Sequence, residues 1–79
     1  MDINTIQDIA HTYLQALPLD QRVQIMHDVL ELNIQVTSAD EYSRDGVLWD
    51  AAKMDEFTMT YIHWMRVDES QKIFDFIQH

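Results

Sequence analysis

The chain reads as an all-α protein. The expected architecture is a compact small bundle of four main helices plus one short helix, with an extended connector around residues 32–37. Three observations predict this. There is one Gly and one Pro in 79 residues, too few turn formers for a sheet protein. Apolar residues recur at steps of three and four over most of the chain. Residues suited to helix caps stand ahead of several of those stretches.

The first helix is expected from about Ile3 to Leu17. Ile3, Ile6, Ala10, Tyr13, Leu14 and Leu17 make one apolar face. Asp2 or Asn4 can cap it, and Asn4 with Gln7 has the spacing of a capping box. Pro18 stops it, because the residue before a proline is pushed out of the helical region.

The second helix is expected from about Asp20 to Glu31, with Asp20 as N-cap. Leu19, Val23, Met26 and Leu30 form one stripe, and Ile25, Val29 and Leu32 form another beside it. The apolar arc covers more than half the circumference, so neighbours are expected on two sides. Gln24, His27, Asp28 and Glu31 make the wet side.

The period then changes. LNIQV (32–36) alternates apolar and polar, a strand-like rhythm. With nothing else strand-like to pair with, it reads as a connector whose Ile34 and Val36 plug into the core. The other reading is an edge strand that pairs with a second copy of the chain. Ser38 and Glu41 have capping-box spacing, which predicts a short helix over 38–45, ended by the turn formers Asp45-Gly46. A long helix is expected from about Val47 to Val67, and a last one after an Asp68 cap, with Ile73, Phe74 and Ile77 on one face and Phe76 off it.

FTMTYIHWMRV (57–67) is the densest run of large side chains. On a helical wheel Val47, Ala51, Met54, Thr58, Tyr61, Ile62 and Met65 share one arc, widened by Phe57 and Trp64 and by Leu48 and Met59. Most of the run is therefore expected in the core. The polar stripe of the same helix is Lys53, Glu56, Thr60 and His63, and Trp49 falls inside it. Three accounts of Trp49 stand: the 38–45 helix covers it, it anchors a partner, since Trp is enriched at binding hot spots, or it is simply exposed. Asp55 falls in the apolar arc and must find Arg44, Arg66 or a helix N-terminus, or stay at the margin.

Seventy-nine residues make a single domain, 1–79, and a domain this small buries only roughly 60% of its unfolded surface. There is no cysteine, which suits a reducing compartment. No apolar run approaches the ~20 residues of a membrane span. The start, MDINTIQD, is acidic where a signal peptide is basic. A cytoplasmic protein that keeps its N-terminus is expected.

Fourteen acids against five bases leave a net charge of −9. Direct binding to nucleic acid or to an anionic membrane is disfavoured. No metal signature is present: Asp8 with His11, and His27 with Glu31, share helical faces but lack further ligands. No Cys, no Gly-rich elbow and no phosphate loop occur. Neither catalysis nor a cofactor is expected, and a metal-dependent enzyme is the least supported reading.

What remains is protein–protein interaction. By analogy with small acidic chains, the expected role is an adaptor, a chaperone or an inhibitor of a basic partner. The partner face is expected at Trp49, Lys53, Glu56, Thr60 and His63, with Asp40, Glu41, Asp45 and Asp50 steering. The alternative is a DNA-mimic inhibitor of a nucleic-acid-binding protein, of the kind phages and mobile elements encode. Self-association into a homodimer is the open question of assembly.

Overall fold

The computed structural model describes residues 1–79 and shows an α+β fold. Four helices pack together beside a three-stranded antiparallel sheet. They are α1 (Ile3–Ala16), α2 (Leu19–Leu30), α3 (Ala51–His63) and α4 (Val67–Gln78). The strands β1 (Ile34–Ser38), β2 (Glu41–Arg44) and β3 (Val47–Asp50) run between α2 and α3 in the order β1-β2-β3.

The expectation of an all-α helical bundle is therefore corrected over residues 32–50. The connector is β1, paired within the chain to β2. The short 38–45 helix does not form. Ser38 and Glu41 do not make a capping box. They flank a turn at Ala39-Asp40, and the Ser38 hydroxyl donates to the Glu41 carboxylate across it at 3.3 Å. Asp45-Gly46 closes the second hairpin rather than ending a helix. Its two residues have φ of 51° and 82°, the left-handed pair that a tight hairpin turn demands. The first four residues of the expected long helix are β3.

The first helix forms as expected, with the Asp2 carboxylate accepting the Thr5 N–H at 2.8 Å. The second begins one residue early, at Leu19, with Pro18 rather than Asp20 in the cap position. Asp20 lies in its first turn, where it favours the positive end of the helix dipole. The Asp50 carboxylate caps α3 by accepting the Lys53 N–H at 2.9 Å. That helix stops at His63, and α4 starts after Arg66, not Asp68. Glu69 makes the start by accepting the Arg66 N–H at 3.2 Å.

The core draws on every element but β3, whose Trp49 only packs against it: Ala10, Leu14, Val23, Met26, Leu30, Ile34, Tyr42, Met54, Ile62, Met65 and Ile73. Cross-strand partners share a face of the sheet. Ile34, Val36, Tyr42, Arg44, Val47 and Trp49 therefore lie on one face, and Gln35, Ser43, Leu48, Glu41 and Asp50 on the other. The first face packs on the helices through buried Ile34 and Tyr42. Val36 only borders the core, being 39% exposed.

One charged side chain is built into this core. Arg22 is 5% exposed. It donates to the carbonyls of Leu14 and Leu17 at 3.3 and 3.0 Å and to the Thr58 hydroxyl at 3.0 Å, and it pairs with Asp55. The chain turns sharply at Pro18, so beyond the Leu17 N–H that donates to Leu14 at 3.2 Å the last carbonyls of α1 lack helical donors. Arg22 supplies them. The partner of Asp55 is thus Arg22, not Arg44, Arg66 or a helix N-terminus.

Candidate functional site

Trp49 stands on β3, and α3 begins two residues later, so the strand delivers it beside the first turns of that helix. Its ring meets Phe57 edge-on at 5.7 Å between centroids. Phe57 in turn lies 6.1 Å from Tyr61. The Arg44 guanidinium, projecting from β2 on the same face of the sheet, sits 4.0 Å from the Phe57 centroid and 5.0 Å from that of Trp49. A guanidinium over aromatic faces is attracted by their negative π-clouds, worth about 1 kcal/mol when partly exposed.

Trp49, Lys53, Glu56, Phe57 and Thr60 line an open groove of about 500 Å³. Trp49 and Phe57 form its half-buried floor, and Lys53, Glu56 and Thr60 its exposed rim. A second depression continues it past Phe57 and Thr60 to Tyr61, Trp64, Arg66 and Glu69. Trp64 ends this stripe at 76% exposure, its ring edge-on to His63 at 4.9 Å. The expectation that the 57–67 run is mostly core is corrected: only Thr58, Ile62 and Met65 are buried, Phe57 and Tyr61 are half-buried, and Met59, Trp64 and Val67 are exposed.

Four of the five residues expected on the partner face, Trp49, Lys53, Glu56 and Thr60, thus meet at one groove. His63 lies one turn beyond it, against Trp64. The expected carboxylates divide. Asp50 caps α3 next to Lys53, and Glu41 faces Asp50 across the strand pair. Asp40 and Asp45 sit in the two hairpin turns, at opposite ends of β2. The Asp45 carboxylate comes within 3.9 Å of Arg44. The 38–45 segment does flank Trp49, but as a strand with Arg44 laid across the ring, not as a covering helix.

The residues that sequence reasoning misses are Phe57 and Arg44. The helical wheel puts Phe57 on the core side of a helix; its exposed edge depends on the strand that precedes that helix. Arg44 is legible in principle. YSR and VLW, two short runs with β-branched and aromatic residues, flank Asp-Gly, a strong short-range hairpin signal, and that pairing puts Arg44 and Trp49 on one face.

Titration is perturbed near the far end of the stripe. Burial, followed by the hydrogen bond to Glu69, pushes the Tyr61 phenol up to about 12. Glu69 is 8% exposed and holds both that hydroxyl and the start of α4. Its carboxylate is therefore committed to structure. Burial, then the charges of Asp20 and Asp40, also raises the Tyr42 phenol.

No three His, Asp or Glu side chains converge in metal-binding geometry. No helix is long and apolar enough to cross a membrane. Compared with known proteins, the chain matches no family model, no curated protein and no solved structure.

Proposed function

We propose that this protein is a cytoplasmic interaction module that binds a basic protein partner through the Trp49 groove and carries out no chemistry of its own. One observation carries the reading. An aromatic floor already engaged with a guanidinium lies open to solvent on a chain of net charge −9. Aromatic side chains give much contact area for little conformational entropy, and Trp and Arg dominate binding hot spots. The surrounding carboxylates raise the encounter rate with a cationic surface. An adaptor, a chaperone and an inhibitor all fit this chemistry.

The experiment is affinity capture with the wild type, with Trp49→Ala and with Glu56→Lys, at low and high salt. Glu56 is exposed on the groove rim, so its reversal spares the fold while repelling a cation. A specific basic protein held by the wild type is expected to be lost in both variants. Circular dichroism checks that Trp49→Ala still folds. Retention of that protein by both variants overturns the reading. Capture that ignores Trp49→Ala, falls steeply with salt and is lost on neutralising Asp40, Asp45 and Asp50 marks a DNA mimic instead.

A further inference from the structure

The edge strand β3 is open. In β2, backbone groups point alternately to one neighbour and the other. Asp45 N–H donates to Asn33 O at 2.9 Å, toward the β1 side. Residues 43 and 45 therefore turn toward β1, and Tyr42 and Arg44 toward β3. Tyr42 pairs with Trp49 and Arg44 with Val47. Val47 and Trp49 thus direct their N–H and C=O groups to β2, and Leu48 directs its own away from the sheet. Among the backbone hydrogen bonds made outside helices and strands, none involves residues 47–50. The side chains of this edge are also uncovered: Val47 is 58% exposed and Leu48 62%. Exposed edges are usually blunted, because they template pairing with another chain. The means of blunting are few here: β3 is short and ends on Asp50.

Building on the reading of the Trp49 groove, we infer that the partner enters as an extended basic segment that adds to β3 as a fourth strand. Such a strand would bond to Leu48 through its backbone. Its side chains would alternate between the two faces. Those opposite Val47 and Trp49 point to the helix side, over the Trp49 ring and toward Glu56. Those opposite Leu48 and Asp50 point to the outer face, beside Leu48, Asp50 and Glu41. Cations suit the first set, and an apolar residue suits the position opposite Leu48.

Charge selects this occupant. Of the five bases, Arg22 is buried on Asp55, Arg66 is bound to Asp68 and Glu69, Lys72 stands on α4, and Arg44 lies on the aromatic floor. Lys53 is the single cation left at the groove. Against it stand Glu56 on the groove rim and Asp45 in the turn before Val47, with Glu41 and Asp50 on the outer face adding to the negative field. A second copy of the chain fits worse. Pairing about a two-fold axis at Leu48 sets Asp50 opposite Gly46 of the second copy, next to that copy's Asp45. It also brings together two molecules of charge −9 each.

The test uses a heptapeptide of alternating Arg and Val, acetylated and amidated, titrated into the Trp64→Phe variant so that fluorescence reports Trp49 alone. Amide hydrogen exchange is followed in the same samples. Saturable quenching or enhancement is expected, with new protection at the Leu48 amide. Affinity is expected to fall at least tenfold when alternate peptide amides are N-methylated, and binding should vanish when Glu replaces Arg. Leu48→Pro removes the outward donor, which edge strands tolerate, and should weaken binding similarly. If that variant fails to fold, the N-methylated peptide probes the same bonds from the other side. Binding that needs Trp49 but ignores N-methylation overturns strand addition and leaves the groove reading standing. Absence of binding by any Arg-Val peptide overturns the inference. Protection of Leu48 without peptide, together with a doubled mass in light scattering, overturns it too and assigns the edge to a second copy.

Discussion

At the scale of single residues, Arg22 is the most consequential side chain outside the groove. It joins the end of α1, the start of α2 and the middle of α3 through four partners. Arg22→Met keeps the apolar stem but strands the Leu17 carbonyl and takes one of two partners from the Leu14 carbonyl and from the Thr58 hydroxyl, which keep the Leu17 N–H and the Asp55 carbonyl. Leaving buried groups unpaired is expected to cost about 3 kcal/mol in urea unfolding. Asp55→Asn should cost about 1 kcal/mol or less, because its side chain is 53% exposed and water can replace the lost pairing. Equal losses for the two variants would mean the ion pair itself, not the carbonyl clamp, is what matters. Tyr61 makes a pH prediction. The unfolded phenol ionises near 10.0, while the folded one holds its proton to about 12. The fold therefore binds more protons than the unfolded chain in that interval. This contribution is complete below pH 10.0 and is lost as pH rises through about 12. Denaturant unfolding across that range should show the decline in the wild type and a shallower one in Tyr61→Phe. Neither role is visible in the sequence. A lone Arg in an amphipathic helix looks solvent-facing until the chain reversal at Pro18 places carbonyls beside it.

At the scale of elements, two of the three residues with left-handed backbone lead to opposite predictions. Glu31 ends α2 at φ 60° and carries a negative charge at the negative end of the helix dipole. Glu31→Gly removes both penalties and should stabilise by about 1 kcal/mol. Gly46 has φ +82°, and no neighbouring atom lies within 4 Å of where a Cβ would sit. Gly46→Ala should therefore cost about 1 kcal/mol through backbone strain alone, since nothing would clash. Thermal unfolding of the two variants should move in opposite directions, and parallel shifts would refute the account. The hairpins also show why helices are legible and strands are not. The first two helices are set by local signals: an Asp2 cap, a proline stop and unbroken apolar periodicity. Residues 38–50 carry conflicting ones. Ser38 and Glu41 have the spacing of a helix cap, yet the same spacing spans a two-residue turn. Val47, Ala51 and Met54 continue a helical period, so β3 reads as part of the helix that follows it. Only the partners resolve the conflict: Tyr42 opposite Trp49 and Arg44 opposite Val47 turn one face toward the helices.

At the scale of the whole molecule, charge and shape set the expectations. The Cα radius of gyration is 12.4 Å, close to the ~12 Å of a compact domain this size. A net charge of −9 on so small a body repels itself. Shortening the Debye length from ~30 to ~8 Å with salt should relieve that. The stability gain is expected on the order of 1 kcal/mol, or roughly 5 °C in Tm. A scan of Tm against sodium chloride checks it; a falling Tm would mean that ion pairs outweigh the repulsion. Light scattering is expected to give the 9.4 kDa monomer at both ends of that scan. Composition alone determined the size class, the acidity and the scarcity of bases, because these follow from counting. Local pattern determined α1, α2 and the amphipathic character of α3, because helical hydrogen bonds close within four residues. Strand bonds join residues whose partners no local period names. The tertiary structure therefore decided the sheet, the burial of Arg22 and the placing of Arg44 over Trp49 and Phe57.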